Sequence, residues 1–307
     1  MIVDVISLNT MAKLKTDAVT LDDIKEFAES NCDFHFELEV LKRLVDNGCE
    51  CSHGGTYMDA ITGAPREFDI RAHLPTNLPN TRLRLAIECK NLRENFPLAV
   101  SCVPRNNDES FHEIVCSLDT SQLIFENDEL GVIRHVFPSA AVVRRATSAF
   151  YAENDMIGKS CSQVGRRDHD NGITSSDSEI YNKWAQALNS AYDLATLAQG
   201  DACVFGVDCM ATVVLPILVV PNERLWKIEY DADGNRLGDP TLVKRCSYYV
   251  NREISETNIV NGRLVASHLE MVTIDGLFEL LSELKTNAEN LGCENESLKQ
   301  ELNIIAK

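Results

Sequence analysis

The sequence has no hydrophobic run that approaches the roughly 18 apolar residues needed to span a membrane. It also lacks a basic N-terminal stretch leading into an apolar run, because Asp4 stands where a signal peptide would carry positive charge. With 44% hydrophobic and 25% charged residues, the composition is that of an ordinary globular protein. These features predict a soluble protein of the cytoplasm that has no membrane partner.

A cysteine framework is missing as well. The 11 cysteines are an odd number with scattered spacings, and Cys102 and Cys203 lie inside apolar runs. Cys49, Cys51 and His53 have the spacing of half a zinc site, but no second cysteine pair at ligand spacing follows them. We therefore predict reduced thiols, most of them buried.

Positive charge is scarce, with 29 Lys and Arg against 47 Asp and Glu and a formal net charge of -18. Nucleic-acid binding normally depends on clustered Lys and Arg that release counterions from phosphates. The charge balance argues against a broad basic surface. It leaves room for a local basic groove, or for a metal ion that supplies positive charge itself.

Hydrophobic periodicity predicts a mixed α/β fold. A helix is expected from Asp33 to Asn47, ending at Gly48, with its apolar face formed by Phe34, Leu38, Leu41, Leu44 and Val45. Alternation then predicts four strands, at residues 51–58, 67–74, 83–90 and 96–103. A second long helix follows at 178–199, and the apolar run 211–220 is typical of a strand covered on both faces.

The other segments divide the chain. Residues 1–32 are predicted to be an N-terminal extension, 105–177 an insertion with a mobile part, and 285–307 a C-terminal helix or tail. Five apolar residues fall seven apart near that end: Leu277, Leu284, Leu291, Leu298 and Ile305. This seam favours a coiled coil with a second copy or a protein partner. The alternative is a packed helix to about Lys285 with a frayed tail.

One cluster of residues carries chemistry. Strand alternation places Glu88 and Lys90 on one face of the third strand, and Asp69 stands in the neighbouring strand. Two carboxylates held close repel each other unless a cation lies between them, which predicts a site for Mg²⁺ or Mn²⁺. A metal held this way beside a lysine suits the hydrolysis of phosphodiester bonds.

The segments 66–70 (Arg-Glu-Phe-Asp-Ile) and 86–90 (Ala-Ile-Glu-Cys-Lys) resemble the ligand segments of the PD-(D/E)XK nuclease superfamily, although Phe68 stands where the superfamily's name has proline. The resemblance implies a restriction endonuclease-like α/β core, in the order helix, three strands, helix, strand. Its mixed central sheet is flanked by helices and carries additional strands, the insertion and a C-terminal helix. The nuclease-like domain would comprise 33–104 and 178–284.

The resemblance also implies roles for single residues. Asp69 and Glu88 would bind the metal, the main-chain carbonyl of Cys89 would add a ligand, and Lys90 would orient water and stabilise developing charge. Glu37 on the first helix is similar in placement to a further acid of the family, with Glu39 as the alternative on a different side of the helix.

Several basic residues are predicted to hold phosphates, two near the ligand segments and two pairs in the insertion: Arg66, Arg71, Arg144, Arg145, Arg166 and Arg167. Lys183 and Gln186 could face the centre, but a solvated helix face is the favoured interpretation. The expected function is a metal-dependent endonuclease of defence, restriction or repair, acting on DNA rather than RNA. The alternative is a nuclease-fold module with weak or partner-dependent catalysis that acts in protein assembly or regulation.

Overall fold

The computed structural model describes residues 16–28, 32–59, 62–119, 139–146, 149–254, 264–286 and 288–291. The helices in these residues are α1 (Leu21–Glu26), α2 (Asp33–Asp46), α3 (Ser178–Ala198), α4 (Asp201–Phe205) and α5 (Ile274–Thr286). The strands are β1 (Glu50–Met58), β2 (Pro65–Leu74), β3 (Thr81–Cys89), β4 (Leu98–Pro104), β5 (Phe111–Leu118), β6 (Ser139–Ala146), β7 (Met156–Arg166), β8 (Ile173–Ser176), β9 (Cys209–Val220), β10 (Leu225–Glu229), β11 (Thr241–Leu242), β12 (Arg245–Ile254) and β13 (Leu264–Thr273). The predicted α/β class, a mixed sheet flanked by helices, is confirmed.

These strands form one large sheet whose centre is β9. Eleven of the twelve β9 residues are buried, as the continuous apolar run predicted. One edge of β9 pairs in parallel with β3, from Thr81 opposite Ala211 to Cys89 opposite Val219. The other edge pairs with β5 and then with β13. The main strand order is β1-β2-β3-β9-β13-β12-β7-β4-β10-β11, and β2 runs antiparallel to both β1 and β3.

Helices cover the two faces of this sheet. One face packs against α2 and α5, whose buried side chains share a single core with Ile70, Leu85 and Ile87. The opposite face packs against α3, which buries Ile180 and Leu188 among other side chains. Among the described helices, none is both long enough and apolar enough to cross a membrane.

The helix predicted at 33–47 is present, but its buried face differs from the predicted one. Phe36, Val40 and Leu44 are buried, whereas Phe34 and Val45 are 55% and 53% exposed. The sequence carries two apolar stripes at helical spacing about 200° apart, and periodicity alone does not choose between them. The packed stripe leaves Glu37 half-buried and Glu39 exposed, so Glu37 is the acid on the side of the strands.

Residues 105–177, predicted as an irregular insertion, supply four strands to the same sheet. β5 pairs with β9 and β6, whereas β7 pairs with β4, β12 and β8. The sequence of β7, Met-Ile-Gly-Lys-Ser-Cys-Ser-Gln-Val-Gly-Arg, alternates poorly because small and polar residues occupy both of its faces. Its pairing with neighbouring strands overrides that weak local signal. Residues 120–138 lie outside the described residues.

The described half of the C-terminal seam is buried inside the chain. Leu277, Leu281 and Leu284 pack from α5 onto the sheet, and Leu291 follows in a short 3₁₀ helix at 288–291. Each is at most 1% exposed, so these positions present no surface to a second copy. The helix ends at Thr286, close to the alternative end near Lys285. The later seam positions, Leu298 and Ile305, lie outside the described residues.

The buried seam predicts a stability effect. We expect Leu284→Ala to lower the free energy of unfolding by about 2–5 kcal/mol, because it removes buried methyl groups and leaves a cavity. Leu242→Ala, at a 48% exposed position, should change it by less than about 0.5 kcal/mol. Urea unfolding measures both. A lower molecular mass by light scattering with unchanged stability would show instead that Leu284 lies in an interface between copies.

Two buried histidines lie where the C-terminal segment meets the sheet. His112 Nε2 donates to the carbonyl of Leu291 at 2.8 Å, and burial lowers the pKa of His112 to about 4. Burial, followed by the charge of Arg105, lowers the pKa of His268 to about 2. Both rings are therefore neutral in the folded chain at neutral pH.

This neutrality predicts a loss of stability in mild acid. The ordinary histidine pKa of 6.5 applies to the unfolded chain, so between pH 6.5 and about 4 the unfolded state binds more protons than the folded state. The contribution of the neutral histidines to the free energy of unfolding is complete above pH 6.5 and falls as the pH is lowered through that window. His112→Gln keeps an N–H donor without the titration, and its urea midpoint should fall less between pH 7 and pH 5 than that of the unmodified chain. An equal fall in both would contradict the assignment.

Candidate active site

Asp69 and Glu88 lie where β2 and β3 separate. The ladder between these strands ends at the pair Ile70 and Ile87, although both strands continue. Beyond that pair, side chains replace main-chain partners: the amide of Cys89 donates to Asp69 Oδ2 at 2.8 Å, and the amide of Asp69 donates to Glu88 Oε1 at 3.4 Å. The predicted juxtaposition of the two carboxylates is therefore present.

A lysine from α3 lies between these carboxylates. Lys183 Nζ is 2.7 Å from Asp69 Oδ2 and 3.2 Å from Glu88 Oε2. The interpretation of Lys183 as part of a solvated helix face is wrong. Ile180 and Ala187 stand three residues before and four residues after it, and both are fully buried, so helical spacing points Lys183 toward the sheet. That spacing was the signal in the sequence that could have identified it.

Burial and mutual repulsion shape the electrostatics of the three groups. Burial, with the nearby charge of Asp69, raises the pKa of Glu88 to about 8, although Lys183 acts in the opposite direction. Burial disfavours the charge of Lys183, but the carboxylates of Glu88 and Asp69 outweigh it and raise the pKa of the ammonium. Such a pair is stabilised by a proton or by a nearby cation, and in this structure the Lys183 ammonium is that cation.

Glu37 approaches the same site from α2. Its Oε2 is 3.3 Å from His53 Nε2 on β1. Burial and then the charge of Asp69 raise the pKa of Glu37, which places the two carboxylates within electrostatic reach of each other. In the sequence, His53 was considered only with Cys49 and Cys51, as part of half a zinc site, whereas in the structure its ring contacts Glu37.

Lys90 forms its ion pairs with carboxylates other than Asp69 and Glu88. β3 ends at Cys89, so the strand alternation that would have set Lys90 beside Glu88 stops one residue too early. Lys90 Nζ is 3.3 Å from both Asp33 Oδ2 and Glu179 Oε2, and it thus links the first residues of α2 and α3. The main-chain amide of Lys90 donates to Val219.

A buried tyrosine borders the site. Tyr57 on β1 is 6% exposed, and among the described residues its hydroxyl has no hydrogen-bond partner. Burial and the charge of Glu88 raise its pKa. Its only sequence signal was its place in a predicted strand.

The arginines predicted to hold phosphates differ in their surroundings. Arg71 donates to Ser190 and Asp193, at 3.0 and 2.7 Å, and therefore ties β2 to α3. Arg66 lies 3.4 Å from Asp59, and Arg144 lies 2.8 Å from Glu113. Arg145 neighbours Arg144 on β6.

The second predicted arginine pair lies at the end of β7. Arg167 pairs with Asp170 at 2.9 Å, and Arg166 donates to the carbonyl of Asn171. Of the six arginines, Arg166 also lines a cleft that reaches Lys90.

The donors at the site fit a hard divalent cation. Within the described part of the chain, no group of three or more His, Cys, Asp or Glu side chains is arranged to hold a metal. Mg²⁺, however, is commonly held by one or two carboxylates together with water and substrate phosphate. Asp69 and Glu88 already share one cation, the Lys183 ammonium, and so they meet that requirement. Glu37 and the Cys89 carbonyl stay predicted as further ligands.

The sequence matches no protein-family model, and no curated protein or solved structure shows significant similarity to it.

The shared cation predicts a response to metal that does not depend on activity. Lys183→Ala leaves two carboxylates without their ammonium and should destabilise the chain by about 1–3 kcal/mol. Millimolar Mg²⁺ should then raise the melting temperature of this variant more than that of the unmodified chain. Lys244→Ala, which removes the same charge beside the exposed carboxylate of Glu279, should respond to Mg²⁺ like the unmodified chain. Equal responses in all three proteins would argue against a metal site here.

Proposed function

We propose that the chain is a metal-dependent nuclease of the PD-(D/E)XK type, in which Asp69 and Glu88 hold Mg²⁺ or Mn²⁺. The observation that carries this proposal is the meeting of two carboxylates around one cation at the point where two neighbouring strands separate. This arrangement is not a surface ion pair, because Glu88 is only 1% exposed.

The order of elements supports the same proposal. The series α2, β1, β2, β3, α3, β9 follows the superfamily's order of helix, three strands, helix and strand, with β4 to β8 inserted before α3. The two carboxylates stand on the second and third strands of that series, as the resemblance implies. A restriction endonuclease-like core is thus a natural description of this part of the sheet.

The proposed roles follow from the contacts. A divalent ion at Asp69 and Glu88 would supply a nucleophilic water at neutral pH and neutralise charge on the phosphate. Lys183 is the ammonium that contacts both carboxylates, so we assign it the charge-stabilising role first expected of Lys90. Glu37 is hydrogen-bonded to His53, and we assign it the role of accepting a proton at the border of the site. DNA is the expected substrate in preference to RNA.

Cleavage assays on the purified chain test this mechanism. Supercoiled, linear and single-stranded DNA and RNA are incubated with Mg²⁺ or Mn²⁺ and with a chelator. We expect the chelator, Asp69→Asn and Glu88→Gln to abolish cleavage, and Lys183→Ala to slow it by about 10²–10³-fold.

Lys244→Ala is the matched lysine control and should retain most of the activity, because Lys244 is exposed and pairs with Glu279 on α5. Lys90→Ala should slow cleavage less than Lys183→Ala, because Lys90 contacts Asp33 and Glu179 instead of Asp69 and Glu88. Cleavage that survives the chelator or Asp69→Asn would contradict the mechanism. If Lys90→Ala abolished cleavage and Lys183→Ala retained it, the charge-stabilising role would belong to Lys90.

One observation favours a second candidate function. Because Lys183 satisfies both carboxylates, the three residues can also be a structural ion triad in a module that acts in protein assembly or regulation. That candidate predicts no cleavage of any of the substrates and no added stabilisation of Lys183→Ala by Mg²⁺.

A further inference from the structure

A cleft of about 530 Å³ lies beside the carboxylate site. Its walls come from the segment that follows β3, the end of β7, β8, and the first residues of α2 and α3. Lys90 and Glu179 form one side of it, and Glu179 precedes Lys183 on α3 by four residues. That separation is about 6 Å along the helix axis, and Lys90 stands two residues after Glu88, so the cleft adjoins the elements that carry the carboxylate site.

The charge of the cleft differs from that of the chain. Three cations line it, Lys90, Arg93 and Arg166, against two carboxylates, Asp33 and Glu179. This is a local excess of positive charge on a chain whose formal net charge is -18. A concave site with such an excess attracts anions even on an acidic body.

The uncharged lining residues suit a nucleobase. Asn91 and Asn95 offer amide groups that can both donate to and accept from a base edge. The ring of half-buried Phe96 lies against Gly165, where an added Cβ would stand 2.7 Å from it, and bases stack readily on aromatic rings. Gln163 donates to the carbonyl of Phe96 at 3.3 Å and thereby fixes this part of the wall.

We infer that this cleft binds one unpaired nucleotide of a nucleic-acid strand, next to the phosphate that reaches Asp69 and Glu88. The inference rests on the proposed function and narrows its substrate to single strands and frayed or single-stranded ends. A volume of about 530 Å³ lies within the range of ligand-sized pockets, about 300–1,000 Å³. A base-paired nucleotide is held in the stack by its partner strand and cannot enter such a cleft without being extruded.

Binding measured without cleavage tests the inference. A short fluorescein-labelled DNA strand and the same strand in a blunt duplex are titrated with the full chain in the presence of chelator, and anisotropy is followed at several salt concentrations. We expect the single strand to bind more tightly than the duplex. Arg166→Glu should weaken single-strand binding about tenfold and reduce the salt slope by about 1.

Arg236→Glu is the matched control. It makes the same charge change at another exposed arginine, in the hairpin that follows β10. The first residue of β10, Leu225, pairs with Leu98 on the cleft side of β4, so the hairpin after the last residue of β10 lies at the opposite end of that strand. It should bind like the unmodified chain. Thr174→Lys adds a cation to the exposed strand β8 at the cleft and should tighten single-strand binding, which keeps the test informative if Arg166→Glu folds poorly.

The outcomes separate this inference from the proposed function. Equal effects of Arg166→Glu and Arg236→Glu, no gain from Thr174→Lys, or duplex binding as tight as single-strand binding would each overturn the cleft assignment, even if metal-dependent cleavage is found. Single-strand binding that depends on the cleft, without any cleavage, would instead support the cleft assignment and contradict the proposed nuclease activity.

Discussion

The contact of Lys183 with Asp69 and Glu88 joins α3 to β2 and β3. Two carboxylates in a poorly solvated place repel each other, so one must take up a proton or a cation must lie between them. Here the cation arrives on a helix, and the helix can present it only because Ile180 and Ala187, on the same side, pack into the core. The chemistry of the site therefore depends on the packing of α3 against the sheet.

The separation of β2 from β3 creates the room for this contact. Inside a continuous ladder, main-chain groups satisfy one another and side chains stand above and below the sheet. Where the ladder stops after Ile70 and Ile87, the amides of Asp69 and Cys89 turn to carboxylates instead. Polar groups thus meet where two inner strands of the sheet separate, and the buried amides of Asp69 and Cys89 are still satisfied. Glu37 lies within electrostatic reach of Asp69 from the side of α2.

The sequence predicted those parts of the molecule that local periodicity determines. The helices at α2 and α3, the strands β1 to β4 and β9, and the neighbouring positions of Asp69 and Glu88 follow from spacing and alternation. The packed side of α2 did not follow, because Phe34 and Phe36 begin two competing stripes. β7 was missed because its pattern is weak until β4 and β12 pair with it. Lys183 was judged by its charge, although its helical neighbours Ile180 and Ala187 were already apolar.

The acidic composition bears on how such a chain could hold nucleic acid. Several arginines neutralise carboxylates inside the fold, as Arg71 does with Asp193 and Arg84 does with Asp201. Their charge is therefore already compensated by carboxylates and contributes little to phosphate binding. Arg245 is likewise paired, with Glu270 and Glu283. With few phosphate contacts, affinity that depends on counterion release is small. Binding would then rest on stacking and amide contacts in a confined cleft, which favours an exposed base over a closed duplex.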